Sequence, residues 1–159
     1  MRTLARRFGL PVKLALTGLI ALLTLTTVSF TSTATAATPT LGQRAVAVAR
    51  AQVGKPYRYG AAGPNAFDCS GLTEYAYARV GRRLPHNALA QYLVTRHVSL
   101  SQLRPGDLVF MNFSGGSPRG ISHVGIYAGR GNWYVARTPG TRITLQHIWT
   151  HRGVYASRP

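Results

Sequence analysis

The hydrophobic period of this chain changes near residue 107, and that change does most to limit its fold. Before it, apolar residues recur at helical spacing. "GQRAVAVARAQVG", residues 42–54, carries Ala45, Val46, Ala49 and Val53 on one face, with Gly54 and Pro56 as stop signals. A second helix is expected from Cys69 to Val80, with Leu72, Tyr75, Ala76 and Val80 on one face. A third is expected over 85–97, opened by Pro85. After residue 107, short β-rich runs alternate with turn signals: 108–113, 122–129, 132–137 and 141–148, with "GVYAS" as a closing strand. Helices followed by strands predict an α+β domain, with N-terminal helices packed on an antiparallel meander. "KPYRYGAAGPNAFD", 55–68, is rich in Gly and Pro and reads as a loop between the first two helices.

The first 36 residues follow a different logic. Arg2, Arg6, Arg7 and Lys13 precede an apolar stretch over 14–30, and "TSTATAA" then places Ala34 and Ala36 in an A-x-A arrangement. This is the layout of a secretory signal peptide, with cleavage expected after Ala36. The apolar stretch is near the lower limit for spanning a bilayer, so a retained anchor is the alternative. The expected plan is a signal peptide over 1–36, a short linker over 37–41 and one domain over 42–159. Such a protein is expected to be secreted and free of the membrane once the signal is cut.

The whole chain carries a net charge of +16, and its three acids, Asp68, Glu74 and Asp107, all lie beyond residue 36. Beyond residue 36 the domain keeps 15 of the 19 basic residues and all three acids, a net +12, and so basic a domain is drawn to polyanions: anionic wall polymers, anionic lipid or extracellular nucleic acid. The charge alone names no partner, and no nucleic-acid-binding motif accompanies it. So few scattered carboxylates argue against a carboxylate metal site and against a two-carboxylate glycosidase. A single cysteine rules out an internal disulfide framework and a Cys-based zinc site.

That cysteine, Cys69, opens the expected second helix in "FDCSGL". Backbone N–H groups and the helix dipole favour negative charge there, which is expected to lower the thiol pKa. A neighbouring N–H can also hold a substrate oxyanion. A nucleophilic thiol needs a histidine as proton carrier, and the chain offers His86, His97, His123, His147 and His151. His123, in "SHVGIY", is the best placed, on a strand that can aim it. From these features alone a buried, inert cysteine remains open beside a nucleophile.

"GKPYRYG", "FDCSGL", "LRPGDLVF" and "SHVGIYAGRGNWYV" together resemble the NlpC-type family of bacterial cell-wall cysteine peptidases, in order and spacing, over residues 42–156. The resemblance implies a papain-like fold, no metal or cofactor, and hydrolysis of peptidoglycan stem peptides, typically between D-glutamate and the diamino acid. It implies Cys69 as nucleophile, His123 as general base and Tyr57 as a residue lining the site and helping to bind the oxyanion. Asp68 and Ser70 match the usual neighbours of the nucleophile, with a helix N-cap as the plainer role for Asp68. Asp107 matches a position that shapes the turn before a core strand. A monomer acting on peptidoglycan, with no specific nucleic acid, is the expected state.

Two departures stand out. The family usually has a polar residue, most often His, twelve positions after the base, where it holds the useful tautomer. Position 135 here is Val, expected to face His123 across a hairpin centred near Gly129. With Pro139-Gly140 as the next turn, Thr144 falls opposite Val135, and Thr144 and Gln146 become the candidate substitutes. A polar partner on the far nitrogen of His123 favours an enzyme; an apolar lining favours a weak or inactive protein that binds wall peptide. The second departure is His86 and Asn87, which stand where the family often has Arg and then Ser or Thr near substrate carboxylates. Trp133 is a further candidate for lining the groove. A related thiol amidase or acyltransferase, or a secreted toxin, shares these features.

Overall fold

The computed structural model describes residues 37–149 and 153–159. The expected signal peptide and His151 lie outside the described residues. Three helices, α1 (Leu41–Arg50), α2 (Cys69–Ala78) and α3 (Ala88–Leu93), precede most of the sheet. The strands are β1 (Arg96–Val98), β2 (Leu108–Met111), β3 (His123–Gly129), β4 (Asn132–Val135), β5 (Thr144–His147) and β6 (Val154–Arg158). They form one sheet in the order β1-β6-β2-β3-β4-β5, with every neighbouring pair antiparallel. The fold is α+β, as its helix-then-strand pattern predicts.

Local chemistry sets the helix boundaries. Thr40 and Gln43 make a reciprocal capping box, so α1 starts at Leu41. Asn87 Oδ1 accepts from Ala90 N at 2.9 Å and starts α3 three residues later than Pro85 suggests. α3 then stops at Leu93, short of the expected residue 97, because 96–98 pairs with β6 as a strand. β6 also departs from a simple meander. It does not follow β5 at the sheet edge but returns to lie between β1 and β2.

Alternation along the strands divides the core. Leu108, Phe110, Val124, Ile126 and Tyr134 pack with Ala45 and Ala49 of α1 and Leu72 and Ala76 of α2. Val109, Met111, Trp133 and Val135 form a second buried cluster with Ile148. Asp107 fastens the turn before β2. It accepts from Arg104 N at 2.8 Å and from Arg158 Nε and Nη2 at 2.6 and 2.7 Å, a two-pronged pair between the turn and β6. Since β3 pairs with β2 from Ile126 back to His123, this turn also sets where His123 enters the sheet.

Candidate active site

Each residue of "FDCSGL" has a physical task. Phe67 is fully buried and anchors the chain. Asp68 is extended, and its Oδ1 accepts from Gly71 N at 2.7 Å, so α2 begins at Cys69. Ser70 donates to the same oxygen at 3.1 Å, and Gly60 N donates to Oδ2 at 2.8 Å. Gly71 lies so close to the 61–62 backbone that a Cβ would run into the Ala61 carbonyl. Leu72 enters the core. The preceding loop is pinned from both sides: Tyr57 N donates to Thr141 O at 2.9 Å, and Asp68 N to Ala61 O at 2.8 Å.

This packing makes a cavity of about 470 Å³ with Cys69 and His123 in its wall, joined there by Tyr57, Asp68 and Ser70. His86 and Asn87 line the same cavity from the segment before α3. Trp133 does not. It is fully buried on the second face of the sheet, with its ring edge-on to His123 at 5.7 Å, so it backs the histidine instead of meeting a ligand.

The electrostatics differ from a simple helix N-terminus. Burial pushes the Cys69 thiol pKa up, and the Asp68 carboxylate pushes it further. Backbone hydrogen bonds from Val124, Ser70 and Cys69 itself draw it down without winning, because desolvation of the charged sulfur is the larger effect. Burial, aided by the Arg137 charge, lowers His123 to about 4. Near neutral pH the resting pair is therefore a thiol and a neutral imidazole. Burial, then Cys69 and Asp68, raise Tyr57, which keeps its phenol protonated as a donor.

His123 Nε2 is buried and has no hydrogen-bond partner among the described residues. Phe113 and Trp133 flank the ring, each with centroids 5.7 Å away. Val135 does not stand opposite His123. β3 and β4 pair Ile126 with Tyr134 and Tyr127 with Trp133, a register that carries Val135 to Gly125 and Arg137 to His123. An irregularity between Tyr127 and Gly129, with Arg130 at φ 53°, moves the hairpin centre by one residue from Gly129. Val135 is thus a diagonal neighbour of His123, on the same face. Thr144 does lie opposite Val135, and Gln146 opposite Trp133. They bond each other at 2.8 Å, and neither bonds His123.

A family model described as the NlpC/P60 family matches residues 54–157. The chain belongs to the NlpC/P60 family. It is 45% identical over 102 residues to a probable endopeptidase p60 of Listeria monocytogenes, covering 64% of this chain and 20% of that protein. It is 38% identical over 112 residues to the peptidoglycan endopeptidase RipA of Mycobacterium tuberculosis, covering 62% of this chain and 23% of RipA. The chain therefore spans about a fifth of the length of these two relatives. The NlpC/p60 domain of the peptidoglycan hydrolase SagA superposes with a TM-score of 0.67 at 35% identity, covering 74% of this chain and 98% of that one. RipA superposes with a TM-score of 0.64 at 31% identity, covering 74% and 61%. Solved forms of RipA include ones mutated at a cysteine, at a histidine and at a glutamate twelve positions beyond that histidine.

Within this NlpC/P60 domain the structure adds residues that sequence reasoning missed. Arg137, Phe113 and Tyr59 also line the cavity. Arg137 carries no motif signal; its place beside His123 emerges only from the β3–β4 register. Its guanidinium stacks over Trp149, 4.5 Å from the ring centroid. A contact between His86 and Asp68 was likewise invisible, since the two lie eighteen residues apart.

Proposed function

We propose that this protein is an exported cysteine peptidase that cuts peptidoglycan stem peptides, slowly, between D-glutamate and the diamino acid. The observation that carries the reading is one cavity with Cys69, His123 and Tyr57 in its wall. Family membership and relatives named as endopeptidases support it. The domain's excess of arginine favours retention on an anionic wall.

The chemistry follows from the charge states. The resting thiol and imidazole are neutral, so His123 takes the Cys69 proton as sulfur attacks the stem-peptide carbonyl. The Cys69 backbone N–H and the Tyr57 phenol donate to the oxyanion. The His123 imidazolium then gives its proton to the departing amine, leaving a thioester on Cys69. A water molecule, deprotonated by His123, hydrolyses the thioester and frees the glutamyl carboxylate. The imidazolium forms between Phe113 and Trp133 with no acceptor on Nε2 among the described residues, which raises the barrier. In a serine triad, disabling the orienting residue costs about 10⁴ in rate. A thiol is far more acidic than a hydroxyl and loses less.

The lone Nε2 also favours a second reading, a wall-peptide-binding protein that does not cut. Incubation of the full chain with peptidoglycan, followed by mass spectrometry of the fragments, separates the two. The peptidase predicts paired new ends, a free amine on the diamino acid and a free D-glutamyl carboxylate. Absence of new ends, with the chain still bound to the wall, supports the binding reading, and new ends elsewhere overturn the bond assignment.

A further inference from the structure

Two of the domain's three acidic residues converge on one imidazole at the rim of the cavity. His86 Nε2 lies 2.8 Å from Asp68 Oδ1 and 2.9 Å from Oδ2. Its Nδ1 lies 3.6 Å from Glu74 Oε2, an oxygen that is buried and has no hydrogen-bond partner among the described residues. The Asp68 side chain is 9% exposed and is already held by Gly60, Gly71 and Ser70. Its carboxylate is therefore immobile, one residue before Cys69, and its charge opposes a thiolate there.

A neutral imidazole has one N–H and one bare lone pair. Between two carboxylates it donates to one and turns its lone pair on the other. An imidazolium has two N–H groups and serves both. We propose that His86 is a proton-dependent counter-ion for Asp68: doubly protonated, it bridges Asp68 to Glu74 and cancels the carboxylate charge beside Cys69, and on losing a proton it leaves that charge facing the thiol. His86 is then a positioning residue that acts on the nucleophile through Asp68. The inference rests on the reading of Cys69 as a reactive thiol.

The groups facing His86 are consistent with this role. Asp68 and Glu74 approach from α2 and its cap. Across the cavity stand Tyr57 and Tyr59 from the loop, His123 from β3 and Arg137 after β4. Imidazole is the side chain whose charge ordinarily changes between about pH 5 and 8. Burial removes His123 from that window, and a guanidinium keeps its charge throughout. A permanent cation at position 86 would hold Asp68 neutralised at every pH, whereas histidine makes the neutralisation conditional on acidity.

Cys69 is the only cysteine, so alkylation of the full chain by iodoacetamide reads one site. The rate is measured from about pH 5 to about pH 9 for the wild type, His86→Arg and His86→Gln. The arginine variant should react as a thiol of lower pKa than the glutamine variant, about tenfold faster at a given pH below both midpoints. The wild type should track the arginine variant at the acid end of the range and the glutamine variant at the alkaline end, crossing in between. Three superimposable curves, or a wild type that tracks one variant throughout, would overturn the proposal. A merely structural His86 that stays uncharged predicts a wild type that tracks the glutamine variant at every pH. Glu74→Gln, which leaves the Asp68 contact intact, should move the crossover to lower pH, and an unmoved crossover contradicts the bridge. Alkylation needs no substrate, so the two readings fail separately. A chain that labels as expected but cuts nothing keeps the His86 assignment and loses the peptidase; one that cuts, with identical curves, does the reverse.

Discussion

Cys69→Ala should release new amine termini from peptidoglycan no faster than buffer, a loss of about 10⁵-fold or more in rate. The domain has no second thiol to take over. The three acids offer no alternative general acid and base pair, because Asp68 is held by His86 and its own cap bonds, Asp107 by Arg158, and Glu74 is not among the residues lining the cavity. The substitution keeps Cβ, the Asp68 cap and the close approach of Gly71 to Ala61, so α2 and the cavity survive. Wall binding by the variant should therefore match the wild type in a sedimentation assay with insoluble peptidoglycan. His123→Ala should cost less, about 10² to 10⁴, because it removes proton transfer and leaves the thiol. Equal activity in Cys69→Ala and wild type would remove the nucleophile from the account.

Val135→Glu should raise hydrolysis at neutral pH by about tenfold or more, through the charge of His123. Val135 lies diagonally across the ladder from His123, with Gly125 and the Trp133 indole that covers it beside the diagonal. Diagonal cross-strand positions are about 7–8 Å apart, within reach of a long side chain. A carboxylate there gives His123 Nε2 the acceptor it lacks among the described residues, and the buried Trp133 Nε1, likewise without a partner among them, can donate to it as well. RipA has a glutamate twelve positions after a histidine, both of them sites of its solved mutant forms. The same substitution should change how stability depends on acid. His123 is lowered to about 4 in the fold, so as pH falls from about 6.5 the unfolded chain takes up a proton that the folded chain refuses. That stability is whole above about pH 6.5 and drains as pH falls through the window, by up to about 3 kcal/mol near pH 4. A glutamate that accepts from His123 lets the imidazole charge while folded, and the loss shrinks. Thermal melts at a series of pH values, beside the hydrolysis rate, check both halves. An unchanged rate with an unchanged acid loss would show that a carboxylate at 135 does not reach His123.

Much of this was legible in the residues, and the limits were physical. α1 and α2 could be read because each buries residues at helical spacing, although α1 ends at Arg50, short of the expected residue 54, and leaves Val53 exposed beyond it. α3 was read too long because local pattern carries no information about β6, whose backbone draws 96–98 into the sheet. The return of β6 beside β2 was hidden for the same reason. At the site, Cys69 and His123 were legible as candidates from helix-start chemistry and a β-rich run, with the family motifs needed to favour a nucleophile over an inert cysteine. The partner of His123 was not, because a one-residue irregularity in a hairpin changes every cross-strand neighbour. The thiol pKa went against expectation because a helix terminus is a local feature, whereas the burial that opposes it comes from the whole fold.

The proposed reaction passes through a covalent state in which Cys69 carries the acyl group of the stem peptide. Rapid acid quenching of the full chain with soluble stem peptide, followed by mass spectrometry of the fragment containing Cys69, tests it most directly. The account predicts a thioester on Cys69 with the mass of the glutamyl portion of the substrate, appearing before free product and absent from His123→Ala at the same time point. New amine termini accumulating with Cys69 unmodified at every time point would contradict it.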